Sequence, residues 1–479
     1  MIIGRQLPFI LVLFLVLYSC EPTHVPASRF EGTWHNPGYG ISLHIKEHQY
    51  TFYDRTSISC TKKHEGSLEE LLPFLVKTND TLILSKGPST YRFLPAEATS
   101  QGCSAKVRGT GSKDVLYNFD VFAETLNDHF AYFEMQGINP VELFKSTRSR
   151  LENDPTDQQL YLLMQKILDT LNDNHGYLEA PEALLPEANS LENATGDPEE
   201  PSYGDFQVAD RVSDVYIDRE YTRGTRIMRW GTLNDSLGYL QIKAMWLFAD
   251  LELQDRIVKE EGYVGAYIHA MGELYEGTYI ERERSAAALL LDTIMADLMH
   301  TKAMIVDIRL NGGGQDVVSM ELLKRFNEKY RPVARKKARF RNTFTDHQTL
   351  FLEAGDQAYL KPVFLLTSRQ SASAADFLAL AALELPHITR VGTPTQGALS
   401  DALEKTLPNQ WQFALSNELY TDLNGNVYEY KGIAPDIPVD YPEDRQHLFR
   451  QLMENPENDK AIILNAVSNA LQKYPLPLN

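Results

Sequence analysis

The sequence predicts an α+β chain of several domains: a small N-terminal β domain, a helical region behind it, and an α/β domain filling most of the second half. Three observations carry this. β-forming residues alternate or cluster from about 28 to 108, apolar residues recur at three- and four-residue steps from about 113 to 178, and short apolar strands then alternate with helical stretches. A length of 479 residues suggests about three domains. Hydrophobic residues at 43% and charged residues at 23% are those of a folded protein. With 46 Lys+Arg against 65 Asp+Glu the net charge is −19, which argues against nucleic acid as a partner. Three cysteines cannot build a disulfide scaffold or a four-sulfur zinc site.

Residues 1–19 read as an export signal. Arg5 precedes the apolar run Phe9–Leu17, which is too short to span a bilayer comfortably, and no other run reaches about 18 apolar residues. The run ends in Leu17-Tyr18-Ser19-Cys20, which resembles the lipobox of bacterial lipoproteins. That resemblance implies lipidation of Cys20, an anchor in a lipid membrane, and a place in the bacterial cell envelope on the periplasmic or outer-surface side. An ordinary secretory signal with an incidental cysteine is the alternative. In an oxidising compartment Cys60 and Cys103 are candidates for a disulfide, and two free buried cysteines are the other reading.

Residues 20–108 form the β domain. Gly40–Lys46, Tyr50–Tyr53, Asp80–Leu84 and Tyr91–Leu94 read as strands of a sandwich or barrel. His44 and His48 lie four apart with no third ligand nearby, so they read as solvated rather than metal-binding. Residues 109–205 form the helical region. Phe119, Phe122, Leu126, Phe130 and Phe133 make one stripe, and Leu160, Leu163, Ile167 and Leu171 another. The second helix is expected to run out at Asp173-Asn174-His175-Gly176, with Gly176 at its C-terminus. From Glu179 to Asp205 there are four prolines and eight acids without a Lys or Arg, a solvated connection or a lid.

Residues 206–445 alternate strands and helices, with strands at Leu237–Lys243, Ala303–Arg309, Val363–Thr367 and Ile388–Val391 and a helix from Ala374. Such a pattern indicates a sheet covered on both faces. A hairpin is expected at Asn424-Gly425, and residues 446–479 read as a helical tail.

GxSxG, HExxH, Walker and GxGxxG motifs are all absent, yet two loops interrupt strands where a reaction centre could sit. Asn311-Gly312-Gly313-Gly314 follows a strand, and its glycines either make a tight turn or let N–H groups point at an oxyanion. Ser371-Ala372-Ser373-Ala374-Ala375-Asp376 opens a helix. Ser373 is either a plain N-cap, paired with Asp376 as in a capping box, or a nucleophile favoured by the helix dipole.

Asp307–Gly314, Thr367–Asp376, Gly392–Gly397 and Gly432–Asp436, in that order, resemble the core of the tail-specific (C-terminal processing) serine peptidases, across roughly residues 113–442. The resemblance implies a ClpP/crotonase-like core, Ser373 as nucleophile, and Gly313 and Ala374 as donors of oxyanion-hole N–H groups. Ala398 stands where many members carry a lysine base, so a Ser–Lys dyad is excluded. A branch that resembles the tricorn core protease and the nisin-resistance protease uses histidine instead. Its motif falls on Asp173-Asn174-His175, which implies His175 as base, Glu429 as a group orienting it and Asn174 as an auxiliary hydrogen bonder. No metal or organic cofactor is required, and the implied partner is a peptide or protein substrate.

No peptide-tethering PDZ module is recognisable between His175 and the glycine loop, although residues 206–300 could hold one. The segment Lys324–Arg341 carries nine cations and one acid. It reads as a solvated face, or as an anchor, through Arg335 and Arg339, for a substrate's C-terminal carboxylate. The leading reading is thus a membrane-anchored serine peptidase. A non-catalytic binding lipoprotein on the same fold is the rival, and a chain whose working part is the β domain is a third option.

Overall fold

The computed structural model describes residues 27–96, 108–185, 202–234 and 236–472. Cys20, Cys103 and most of the acidic stretch after Glu179 lie outside these residues, and with them the expected anchor and bridge; Cys60 is a buried, disulfide-bonded cysteine.

Among the described residues the β domain is one continuous eight-stranded sheet whose two ends share a single core. Strands Gly32–Asn36, Ile41–Lys46, Gln49–Arg55 and Ser59–Ser67 pair in sequence. Strands Leu75–Thr78, Thr81–Lys86 and Ser89–Pro95 continue beyond the first of these, and Arg108–Gly109 pairs at the far edge. Trp34, Leu43, Tyr50, Leu71, Leu82 and Phe93 form its core. His44 and His48 are exposed, and among the described residues no cluster of acids, histidines and cysteines is arranged for a metal.

Helices Val115–His129, Pro140–Asn153 and Asp157–Leu171 make the helical region. The aromatic stripe outruns the first of them. The backbone turns extended at Phe130, yet Phe130 and Phe133 stay in the same buried cluster as Phe119 and Phe122. The third helix stops earlier than Gly176 suggested. Asn172 caps it in the left-handed conformation at φ 43°, which asparagine tolerates. Asp173–Gly176 is therefore a turn, followed by strand Tyr177–Glu179, which pairs with Gln412–Ser416 far along the chain.

The second half is a seven-stranded sheet. Met228–Leu233 runs antiparallel to Leu237–Ile242, and that strand leads a parallel set of Ala303–Asp307, Val363–Thr367, Ile388–Gly392 and Ile437–Pro438. Alternation along the strands supplies both faces. Met304, Val306, Val363 and Leu365 face helices Glu276–Leu298, Asp316–Lys324 and Ala374–Ala381. Ala303, Ile305, Phe364 and Leu366 face helices Asp205–Tyr216, Arg445–Glu454 and Pro456–Leu471. The C-terminal helices thus complete the second layer. Arg309, 1% exposed, binds Asp307 and Asp459 at 2.6 and 2.7 Å, so a buried ion pair ties the last helix to the strand end.

Residues 206–300 contribute a helix, sheet strands and the helices Asp255–Gly272 and Glu276–Leu298, with no separate PDZ-like module among the described residues. The expected hairpin at Asn424-Gly425 is also absent. Strand Glu418–Thr421 pairs instead with the long strand Arg331–Phe340, and Asp422 closes the turn by accepting the N–H groups of Asn424 and Asn426. No helix among the described residues is long and apolar enough to cross a membrane.

Candidate active site

Two loops at the carboxyl ends of neighbouring parallel strands meet a third from the helical region. After Asp307 the chain enters the glycine loop, where Gly313 has φ 103°. A Cβ there would lie 2.6 Å from Ser373 Cβ and 2.7 Å from Ala372 O, so only glycine lets the loops approach this closely. Asn311 braces the contact: its side chain donates to Ile242 O and accepts the Gly313 N–H, and its carbonyl accepts the Ala372 N–H.

That bracing corrects the oxyanion expectation, because the Gly313 N–H is already committed. A bridge between Gly314 and Met245 uses the Gly313 carbonyl and the Gln315 N–H, leaving the Gly314 N–H outside it. Gly314, not Gly313, borders the cavity that holds Ser373. Ala374 opens the helix, so its N–H belongs to the first turn, where no intrahelical acceptor exists.

Ser373 has φ 54° and ψ −118°, a conformation costly for a residue with a side chain, by about 1–3 kcal/mol. Asp376 holds it there. Its buried carboxylate accepts the Ser373 N–H at 3.0 Å and, from the loop that follows Gly392, the N–H groups of Gly397 and Ala398, each at 2.9 Å. Burial pushes this carboxyl up to about 6 against those hydrogen bonds, so it is ionised at neutral pH. The neighbouring serines are structural: Ser371 Oγ donates to Ile308 O and Ser368 Oγ to Arg309 O.

His175 arrives from the Asp173–Gly176 turn. Its Nε2 lies 3.3 Å from Ser373 Oγ, across 198 residues of sequence. Asp173 anchors the turn by accepting the His175 N–H and both the N–H and Oγ of Ser416. Exposed Asn174 adds a tether, donating to Gly397 O at 3.3 Å. Burial lowers the His175 pKa, with the negative charges of Asp173 and Asp401 pulling the other way. The ring is therefore neutral at pH 7 and able to accept a proton. Its Nδ1 is buried without a hydrogen-bond partner.

Glu429 does not meet that nitrogen. Its Oε2 accepts the Leu399 N–H at 2.9 Å and its Oε1 is buried and unpaired. Burial, with Asp376 and Asp173 nearby, raises its pKa to about 8 and keeps it neutral. Glu429 thus makes its hydrogen bond to the 397–399 loop, where Ala398 offers no side-chain base.

Arg335 and Arg339 are not at the site, which corrects the carboxylate-anchor reading. The strand Arg331–Phe340 sends Arg335 to Leu423 O and buries Arg339 against Phe133 and Glu134. Lys336 of the same strand, 1% exposed, binds Asp401, which borders the dyad cavity, and Glu418, each at 3.0 Å. Cations that line the dyad cavity come instead from the β domain. Lys63 and Lys86 border about 280 Å³ of space together with Tyr91, Asp401, His175 and Ser373.

Ser373, His175 and Ala374 are thus brought together, with Gly314 rather than Gly313 facing the cavity, while the arginines are elsewhere. Asp376, Asn311 and the β-domain lysines were missed. Asp376 left a signal in its capping-box spacing from Ser373; the lysines left none.

Residues 266–439 match Peptidase family S41. Over 203 residues the chain is 28% identical to the carboxy-terminal processing protease CtpB of Bacillus subtilis strain 168, covering 41% of this chain and 38% of CtpB. A crystal structure from Parabacteroides merdae ATCC 43184, described as a candidate peptidase, superposes with a TM-score of 0.54 at 18% identity, over 74% of this chain and 98% of that one. Mature CPAF superposes with a TM-score of 0.51 at 12% identity, over 74% and 98% of the two chains. At these identities the two structures speak for the fold.

Proposed function

We propose, on the match of residues 266–439 to Peptidase family S41 and on the site's geometry, that the chain cuts peptide bonds through an acyl-enzyme on Ser373, with His175 as general base. The observation that carries this is the approach of His175 Nε2 to Ser373 Oγ at 3.3 Å. The neutral imidazole, protonated on Nδ1, takes the hydroxyl proton as Oγ attacks the carbonyl carbon. Negative charge on the tetrahedral oxygen meets the N–H groups of Ala374 and Gly314 at the start of the helix and on the glycine loop. The imidazolium formed is balanced by Asp173 and Asp401, both of which favour its charged form. It then protonates the leaving amine, and water, deprotonated by the same ring, releases the acyl group.

Glu429 and Asn174 are positioning residues in this scheme, because both act on the loop at 397–399. The retained Ser–His pair, strained serine and N–H donors favour hydrolysis over a ligand-carrying role. The anchoring part of the proposal rests on the lipobox-like sequence at Cys20. The protein is held at a bacterial envelope membrane and acts on exported proteins or peptides. Incubation with a fluorophosphonate followed by mass spectrometry tests the chemistry. Labelling of wild type at Ser373, lost in Ser373→Ala and strongly slowed in His175→Ala, is expected, with peptide hydrolysis falling at least about a thousandfold in both variants. An unlabelled wild type would leave the binding-protein reading instead.

A further inference from the structure

The dyad cavity does not end at its own walls. Ile41, Tyr91, Lys63, Lys86 and Gln315 border both that cavity and a second one of about 350 Å³. Gln315 directly follows the glycine loop, so the second chamber begins one residue beyond Gly314. It lies between the β-domain sheet, which supplies Phe52, Leu84 and Phe93, and the helices of residues 255–298, which supply Met271, Tyr275 and Tyr279.

Its lining differs in kind from that of the dyad cavity. The rings of Phe52 and Phe93 lie 6.5 Å apart, and Tyr275 packs against Tyr50 and Phe74 at 6.2 and 5.6 Å, so the walls offer ring edges and faces. Of the two rim lysines, one has a counter-ion and the other a backbone carbonyl. Lys86 binds Glu276 at 2.6 Å and lies over the Tyr91 ring, and Lys63 donates to Glu404 O. The Tyr275 hydroxyl, by contrast, is buried with no hydrogen-bond partner. An unpaired buried hydroxyl of this kind counts against the folded state.

We propose that this chamber receives an aromatic side chain of the peptide substrate, so that the β domain sets specificity for bonds cut at Ser373. Aromatic side chains match the chamber because they bury a large apolar area and pack edge-to-face on such walls. This role rests on the hydrolase reading above, and it explains why a β domain is packed against a peptidase domain.

A single peptide scaffold, varied at each position among Phe, Tyr, Ala and Lys, tests it, with cut sites and rates read by mass spectrometry. One position is expected at which Phe or Tyr raises kcat/KM about ten- to a hundredfold over Ala, the gain from burying one such side chain. Met271→Trp, which fills the chamber, and Phe52→Arg, which charges it, are expected to abolish that preference while fluorophosphonate labelling of Ser373 keeps its wild-type rate. Labelling also reports that each variant is folded. A wild type that cleaves Ala peptides as fast as Phe peptides overturns the proposal without reference to any variant, as does a preference that survives both substitutions. Cleavage without preference leaves the hydrolase reading standing, whereas absence of both cleavage and labelling refutes that reading and the chamber's role with it.

Discussion

Replacing Asp376 by Asn separates holding the nucleophile from holding the fold. The carboxylate accepts three N–H groups, those of Ser373, Gly397 and Ala398. An amide of the same shape has one acceptor oxygen, so at least one of these buried donors faces an NH2 group, at a cost of about 1–3 kcal/mol. Against this, the ionised carboxylate is itself a burden on the fold. Burial raises its pKa from the ordinary 3.8 to about 6. Because the folded value is the higher one, the native state binds the proton more tightly. Stability is then lost as pH rises from 3.8 to 6, and at pH 7 the full penalty of about 3 kcal/mol is present. Asn removes that penalty, so the two contributions nearly cancel and Tm should move by no more than about 3 °C. Activity has no such compensation. The orphaned donors belong to the strained nucleophile and the loop beside it, and misplacing that pair should lower kcat about ten- to a hundredfold. Asp376→Ala leaves all three donors unpaired and should lose both stability and activity. Differential scanning calorimetry at pH 7, beside kcat/KM on one peptide, reads both quantities. An Asn variant with wild-type kcat/KM would refute the clamp, and one that unfolds many degrees earlier would refute the cancellation.

Gly313→Ala should remove nearly all hydrolysis, because its methyl group would lie 2.6 Å from Ser373 Cβ at a φ that alanine also disfavours; a rate within about tenfold of wild type would show that the loop can yield. Glu429→Gln should keep kcat/KM at pH 7 within about threefold of wild type, since the glutamic acid, with its pKa raised to about 8, is already neutral there. Glu429→Leu, which abandons the Leu399 N–H, should fall well below the Gln variant. The pH–rate profile should rise with pH below 6.5, as His175, lowered by burial, gives up its proton and Asp376 ionises near 6. A midpoint above 7 would mean that a different group serves as the base.

Much of this arrangement could be read from the chain because its information is local. The apolar strands at 303 and 363 and the serine at a helix start are patterns of adjacent residues. What stayed hidden depends on partners distant in sequence. The cation run was visible, but strand pairing decides where each side chain goes: it commits Lys336 to Asp401 and Glu418 and buries Arg339 against Phe133. Asp376 looked like a helix cap, and its other two donors lie more than twenty residues away. The end of the third helix is hidden in the sequence because Asn172, rather than Gly176, takes the left-handed turn.

His175 stands on a turn that Asp173 fastens to Ser416, and the strand after it, Tyr177–Glu179, completes its pairing only with Gln412–Ser416. During synthesis from the N-terminus, the histidine therefore precedes the serine by 198 residues and the strand that fixes it by still more. A nascent or truncated chain ending before residue 416 would hold both reacting side chains without the means to align them. Alignment of His175 with Ser373 thus depends on the chain as far as residue 416, well beyond either side chain.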